Sequence, residues 1–160
     1  TFAHENGHML CGFPDIYDYD QDSVGGAGLF CLMSTAPSYT HPQQFCAYLK
    51  LAAGWATVSD LRPGSSETIR LAASGEGYNR FYRYVKPFAF TDIISDTEYY
   101  LIENRQREGW DQLLPATGLA IWHIDELGSF NDRSLDPNTE HANYEVTLVQ
   151  ADARWDFERK

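Results

Sequence analysis

The sequence has no uninterrupted apolar run of about 18 residues, the length a helix needs to cross a bilayer, so membrane insertion is not expected. Cations are scarce: 12 lysines and arginines stand against 23 aspartates and glutamates, for a formal charge of −11. That imbalance opposes binding to phosphate backbones and to anionic membrane surfaces, which excludes nucleic acid as a partner class. There is no leader-peptide pattern, no internal repeat and no low-complexity tract. An internal fragment would have lost its leader, so that absence leaves location open. Cysteine is limited to Cys11, Cys31 and Cys46. An extracellular setting would favour one disulfide among them, with one thiol left over; the plain alternative is three buried thiols. At 160 residues the chain can bury one moderate core, or a small subdomain packed on a second.

What is present begins at the fourth residue. His4-Glu5-Asn6-Gly7-His8 is an HExxH segment. Histidines four apart on a helix project from one face, a turn above each other, so both imidazoles can reach one zinc ion. The glutamate after the first ligand can touch a water at the same metal. A short pattern also arises by chance, in which case it is a surface helix with two solvated histidines. The third ligand discriminates, because a catalytic zinc takes three protein ligands and keeps one position open. A glutamate on a later helix fits poorly: after Glu5 the next one is Glu67. Asp15, Asp18, Asp20 and Asp22 follow His8 closely, and Gly12 can end the helix in the left-handed conformation.

In the HExxHxxGxxH and HExxHxxGxxD patterns the glycine stands three residues, and the third ligand six, after the second histidine. Those places here hold Cys11 and Pro14, with Gly12 and Asp15 each one residue later. One inserted residue at the turn makes Asp15 the favoured third ligand. Asp18, Asp20 and Cys11 are rivals, the last because thiolate binds zinc well. Downstream of the glycine-rich run 25–28, Met33 is a candidate apolar floor beneath the metal, against the plain alternative of core packing.

These elements belong to a longer series. The stretch His4 to Leu10 with Gly12-Phe13-Pro14-Asp15-Ile16-Tyr17-Asp18 is followed by Cys31-Leu32-Met33-Ser34. Then come Phe45 to Leu51 with Gly54-Trp55, Tyr99 to Gln106, and Gly118 to Asp125. In this order they resemble secreted bacterial metallopeptidases similar to immune inhibitor A, over nearly the whole chain. The departures are the inserted residue at Cys11-Gly12 and the missing amino-terminal half of the catalytic domain. The resemblance implies a metzincin-like, extracellular zinc metalloendopeptidase acting on proteins or peptides, and a fragment inactive on its own. It implies zinc held by His4, His8 and Asp15, with Glu5 as general base and then proton donor. The chemistry agrees, since zinc lowers the pKa of bound water from about 15.7 to about 7 and a carboxylate can take and return the proton. Tyr39 is a candidate donor to the developing oxyanion. Two rival classes are a non-catalytic surface or binding module that keeps the protease fold, and a zinc hydrolase of non-peptide substrates. The intact Glu5 speaks against the former.

Calcium is a second candidate ion, at Asp18, Asp20 and Asp22 or near Asp125, Asn131 and Asp132, although EF-hand spacing and its glutamate are missing. His123 is expected to be a hydrogen-bonded structural residue in an apolar strand. His141 is expected in a loop, and His41 is a candidate lining of the cleft.

The pattern predicts an α+β fold. A metal helix over 1–11 is closed by Gly12 and Pro14, a loop covers 15–40, and a second helix covers 43–54. Residues 1–57 would be the carboxy-terminal part of a metallopeptidase catalytic domain, and 58–160 a β-rich domain beside it. Strands are predicted over 67–72, 80–86, 98–106, 118–125 and 144–150, rich in aromatic and β-branched residues. They would form an antiparallel sheet or a small sandwich.

Overall fold

The structure, a computed structural model, describes residues 2–19, 23–35, 38, 40–62, 64, 66, 68–75, 78–85, 97–128, 144–154 and 156–157. Among them are two helices, α1 (Phe2–Cys11) and α2 (Ala47–Ala52), and five strands. The strands are β1 (Thr57–Leu61), β2 (Arg80–Tyr84), β3 (Glu98–Arg105), β4 (Gly118–Asp125) and β5 (Val146–Leu148). Short 3-10 turns lie at Gly28–Phe30 and Gly109–Asp111. No described helix is long and apolar enough to cross a membrane.

The strands form one sheet in chain order, β1 to β5. Pairings from β2 to β5 are antiparallel, but β1 runs parallel to β2, Thr57 opposite Arg80. The sheet is therefore mixed, not wholly antiparallel. Its first strand also differs from the predicted 67–72: residues 68–72 carry no strand, and β1 occupies the predicted boundary region. Ser59 and Asp60 hide this strand in the sequence, because β1 is an edge whose side chains are mostly in solvent. Asp60 is there to receive Arg83 Nε at 2.7 Å across the parallel pair.

The strongest pairing is β3 with β4, from Glu98 opposite Asp125 to Arg105 opposite Gly118. Side chains alternate between faces of a strand. Tyr99, Leu101, Glu103 and Arg105 therefore share the inner face with Ala120, Trp122 and Ile124. Phe13, Ile16, Ala27, Met33, Cys46 and Leu49 pack in the same cluster as this face. The predicted partition at 57/58 thus falls at the start of β1, and the two parts share one core.

Helix α2 is shorter than the predicted 43–54 because its leading residues are bonded elsewhere. The Gln44 carbonyl accepts from Leu32 N–H at 3.1 Å, and Gln44 N–H donates to Asp111 Oδ1 at 3.0 Å. Gln43 Nε2 donates to the Cys31 and Thr35 carbonyls at 2.8 and 2.9 Å. The three thiols are free; Cys31 and Cys46 are fully buried, and Cys46 N–H donates to Cys31 Sγ at 3.2 Å. His123 Nε2 lies 3.0 Å from Glu98 Oε1, with its ring 5.1 Å from that of Tyr100. His41 Nε2 lies 3.2 Å from the Gly109 carbonyl, beside Trp110.

A buried ionic cluster ties the sheet to the segment beneath it. Arg105 grips Asp111 with two bonds, of 2.7 and 2.8 Å. Its Nη1 donates to Glu103 Oε1 and to the Phe30 carbonyl, both at 3.0 Å. Trp122 Nε1 donates to the same Glu103 oxygen at 2.9 Å. Lys50 closes the group through Gln44 Oε1 at 3.0 Å, and burial holds its ammonium below the usual lysine range. Removing one partner of such a group strands the others without water. Arg105→Ala should therefore cost about 3–5 kcal/mol, read as a lower urea midpoint at unchanged slope; an unmoved midpoint would contradict this role.

Candidate metal centre

Helix α1 presents His4 and His8 on one face because they are one turn apart. Gly12 ends the helix at φ 66°, its N–H donating to the His8 carbonyl at 3.0 Å. That is the left-handed stop for which glycine is suited. Phe13 N–H donates to the Gly7 carbonyl at 3.2 Å, and the Phe13 ring is buried against Phe45 and Trp55. The chain is thereby reversed, and Ile16 N–H pins it to the Met33 carbonyl at 2.8 Å. Asp15, between these two anchors, is turned back toward the helix.

The result brings His4, His8 and Asp15 together, the group of potential metal ligands found among the described residues. Asp15 Oδ1 lies 2.9 Å from His4 Nε2 and 3.2 Å from His8 Nε2, and the two Nε2 atoms are 3.2 Å apart. Donors at about 2.0–2.2 Å from a tetrahedral zinc are about 3.3–3.6 Å from one another, so the cluster is a few tenths of an ångström tighter.

The proton positions follow from the outer contacts. His4 Nδ1 lies 2.8 Å from the Leu32 carbonyl and His8 Nδ1 2.6 Å from the Phe13 carbonyl. A carbonyl cannot donate, so each Nδ1 carries a proton and donates it, and each ring turns its Nε2 toward Asp15. Asp15 Oδ1 is buried and faces both Nε2 atoms. Three potential donor atoms thus face one point, an arrangement that a shared proton or a cation between them would satisfy. This donor set, two imidazoles and a carboxylate, fits zinc.

One turn supports both arms of the site. Ser34 N–H closes it onto the Cys31 carbonyl at 3.0 Å. Its Leu32 carbonyl orients His4, and its Met33 carbonyl holds the loop that carries Asp15. Met33 is fully buried, and a Cβ on Gly7 would stand 2.7 Å from its sulfur, so the methionine lies directly against α1.

The other predicted residues are placed differently. Asp18 Oδ2 accepts Ser23 N–H and Oγ–H, each at 2.9 Å, and Ser23 Oγ meets Tyr144 Oη at 2.7 Å. Asp18 therefore braces the loop and is outside the ligand group, as is the half-exposed Cys11. Asp125 Oδ1 accepts Leu127 N–H at 3.0 Å. Asp20, Asp22, Tyr39, Asn131, Asp132 and His141 lie outside the described residues. Glu5 is exposed on α1, as are Phe2, Met9 and Leu10.

Two residues near the centre were not picked out from the sequence. The Tyr19 hydroxyl donates to Asp15 Oδ2. The Tyr17 ring stands edge-on to that of Tyr19 at 5.0 Å and 6.2 Å from that of His4. The bond to Asp15, then burial, pushes the Tyr19 phenol above its usual range, and burial does the same to Tyr17. The only sequence signal was the alternation Asp15-Ile16-Tyr17-Asp18-Tyr19, which sets hydroxyls close to a candidate carboxylate. Comparison of the chain with protein-family models, curated proteins and solved structures gives no match.

The loop tolerates little change at Gly25. Its φ is 76°, and a Cβ there would stand 2.5 Å from Tyr17 Cα, which is backbone and cannot swing aside. Gly25→Ala should cost upward of about 1–3 kcal/mol in strain. Urea denaturation checks this; a wild-type midpoint would contradict it.

Proposed function

We propose that this chain carries the metal site of a secreted, metzincin-like zinc endopeptidase acting on proteins or peptides. Residues 1–57 belong, on this reading, to the carboxy-terminal part of the catalytic domain. The observation that carries the reading is the convergence of two Nδ1-protonated histidines and a buried carboxylate oxygen on one point. Zinc would be held by His4 Nε2, His8 Nε2 and Asp15 Oδ1. Bound there, zinc would supply a Lewis acid and bring the pKa of water toward neutrality.

The chain's own residues do the rest. The Leu32 and Phe13 carbonyls orient both imidazoles with Nε2 turned inward, and make them more basic. Glu5 follows His4 directly and is exposed, so its carboxylate is open to a water and a substrate approaching from the solvent side of α1. It takes the proton of the attacking water and returns it to the leaving amine nitrogen, a transfer worth roughly 10²–10⁴-fold in rate.

Casein cleavage by the full-length protein, alongside Glu5→Gln, tests this assignment. The variant should retain one zinc per chain and lose hydrolysis by roughly 10²–10⁴-fold. Equal activity in the variant would remove the mechanism. Stoichiometric zinc with no hydrolysis of casein would favour a binding module, and turnover confined to an ester or glycan panel would favour a non-peptide hydrolase.

A further inference from the structure

We propose that Tyr19 is a positioning residue for the metal-binding carboxylate, setting Asp15 to offer one oxygen and not two. The inference rests on the metal-site reading above and adds the determinant of its third ligand.

The two oxygens of Asp15 have different surroundings. Oδ1 faces His4 and His8 at 2.9 and 3.2 Å. Oδ2 accepts the Tyr19 hydroxyl. A phenol can donate one hydrogen bond, and a carboxylate can only accept. The tyrosine therefore marks Oδ2 as the outward oxygen. Rotation of the carboxylate that brought Oδ2 toward the histidines would break this bond.

Exposure supports the assignment. Tyr19 is 55% exposed, whereas Asp15 is 9% exposed. Core packing does not hold the Tyr19 ring. Its described partners are the Asp15 carboxylate and the edge-on Tyr17 ring, 5.0 Å away. The loop around it is braced separately, by Ser23 on Asp18 and by Ile16 N–H on the Met33 carbonyl. The Tyr19 hydroxyl can thus be removed without loosening the anchors that return the chain to α1. Partners of this kind typically account for 10–100-fold in metal affinity.

The test is a titration of metal-free protein with zinc and with cobalt(II), for wild type, Tyr19→Phe, Asp15→Ala and the double variant. Far-UV circular dichroism accompanies each sample. Wild type should bind one ion with the intense visible absorption of four-coordinate cobalt. Tyr19→Phe should bind roughly 10–100-fold more weakly, with weaker absorption as the freed carboxylate offers both oxygens. Its secondary structure should not change. In the Asp15→Ala background, Tyr19→Phe should have no further effect, because the tyrosine acts only through that carboxylate. Unaltered affinity and spectrum in Tyr19→Phe, with wild type binding normally, would overturn this proposal and leave the metal-site reading standing. An equal loss in the Asp15→Ala background would also overturn it, since Tyr19 would then act by another route. Absence of binding by wild type would remove both readings.

Discussion

Two imidazole nitrogens and a carboxylate oxygen held within hydrogen-bond distance of one another need a proton or a cation between them. Here each histidine commits its Nδ1 proton to a backbone carbonyl, which turns both Nε2 atoms inward. Asp15 adds a buried oxygen to the same point. Every neighbouring feature serves this meeting: the Gly12 stop, the Phe13 anchor, the Ile16 tether and the turn that ends at Ser34. On the proposed reading, a divalent ion would satisfy all three at once.

The same constraint explains how the sheet bears on the site. The turn at 31–34 orients His4 and holds the Asp15 loop, so its own position has to be firm. It is held from behind. Arg105 of β3 takes the Phe30 carbonyl, Asp111 takes Gln44, and the Gln44 carbonyl takes Leu32 N–H. The charged cluster is costly to bury, and its members are mutually satisfied in large part. Its geometric effect is to join a strand, a 3-10 turn and the support of α1 as one unit. Met33 fills the space between that unit and Gly7.

Much of this was readable from residue patterns, and the remainder had physical reasons for being obscure. The helix over 1–11 could be read from the histidine spacing and the Gly12 stop, and the strand at Gly118–Asp125 from its aromatic and β-branched residues, and both lie where the pattern places them. The α+β class was legible for the same reason. Strand β1 was not, because an exposed edge with Ser59 and Asp60 has no apolar alternation to detect. The start of α2 was misplaced because tertiary bonds to Gln43 and Gln44 outweigh local helical preference. The ionic cluster was overlooked although its signal was present: Glu103 and Arg105 share the parity of Tyr99 and Leu101, and so their face. At the site, His4, His8 and Asp15 could be nominated by spacing. Tyr19 could not, since a loop has no period to relate its residues in space.

The most direct measurement is zinc K-edge X-ray absorption on the full-length protein loaded with one equivalent of zinc. The account predicts two imidazole nitrogens and light oxygen donors near 2.0–2.1 Å, with no sulfur. A zinc–sulfur shell near 2.3 Å would transfer the third position to Cys11, and failure to retain any zinc would contradict the account outright.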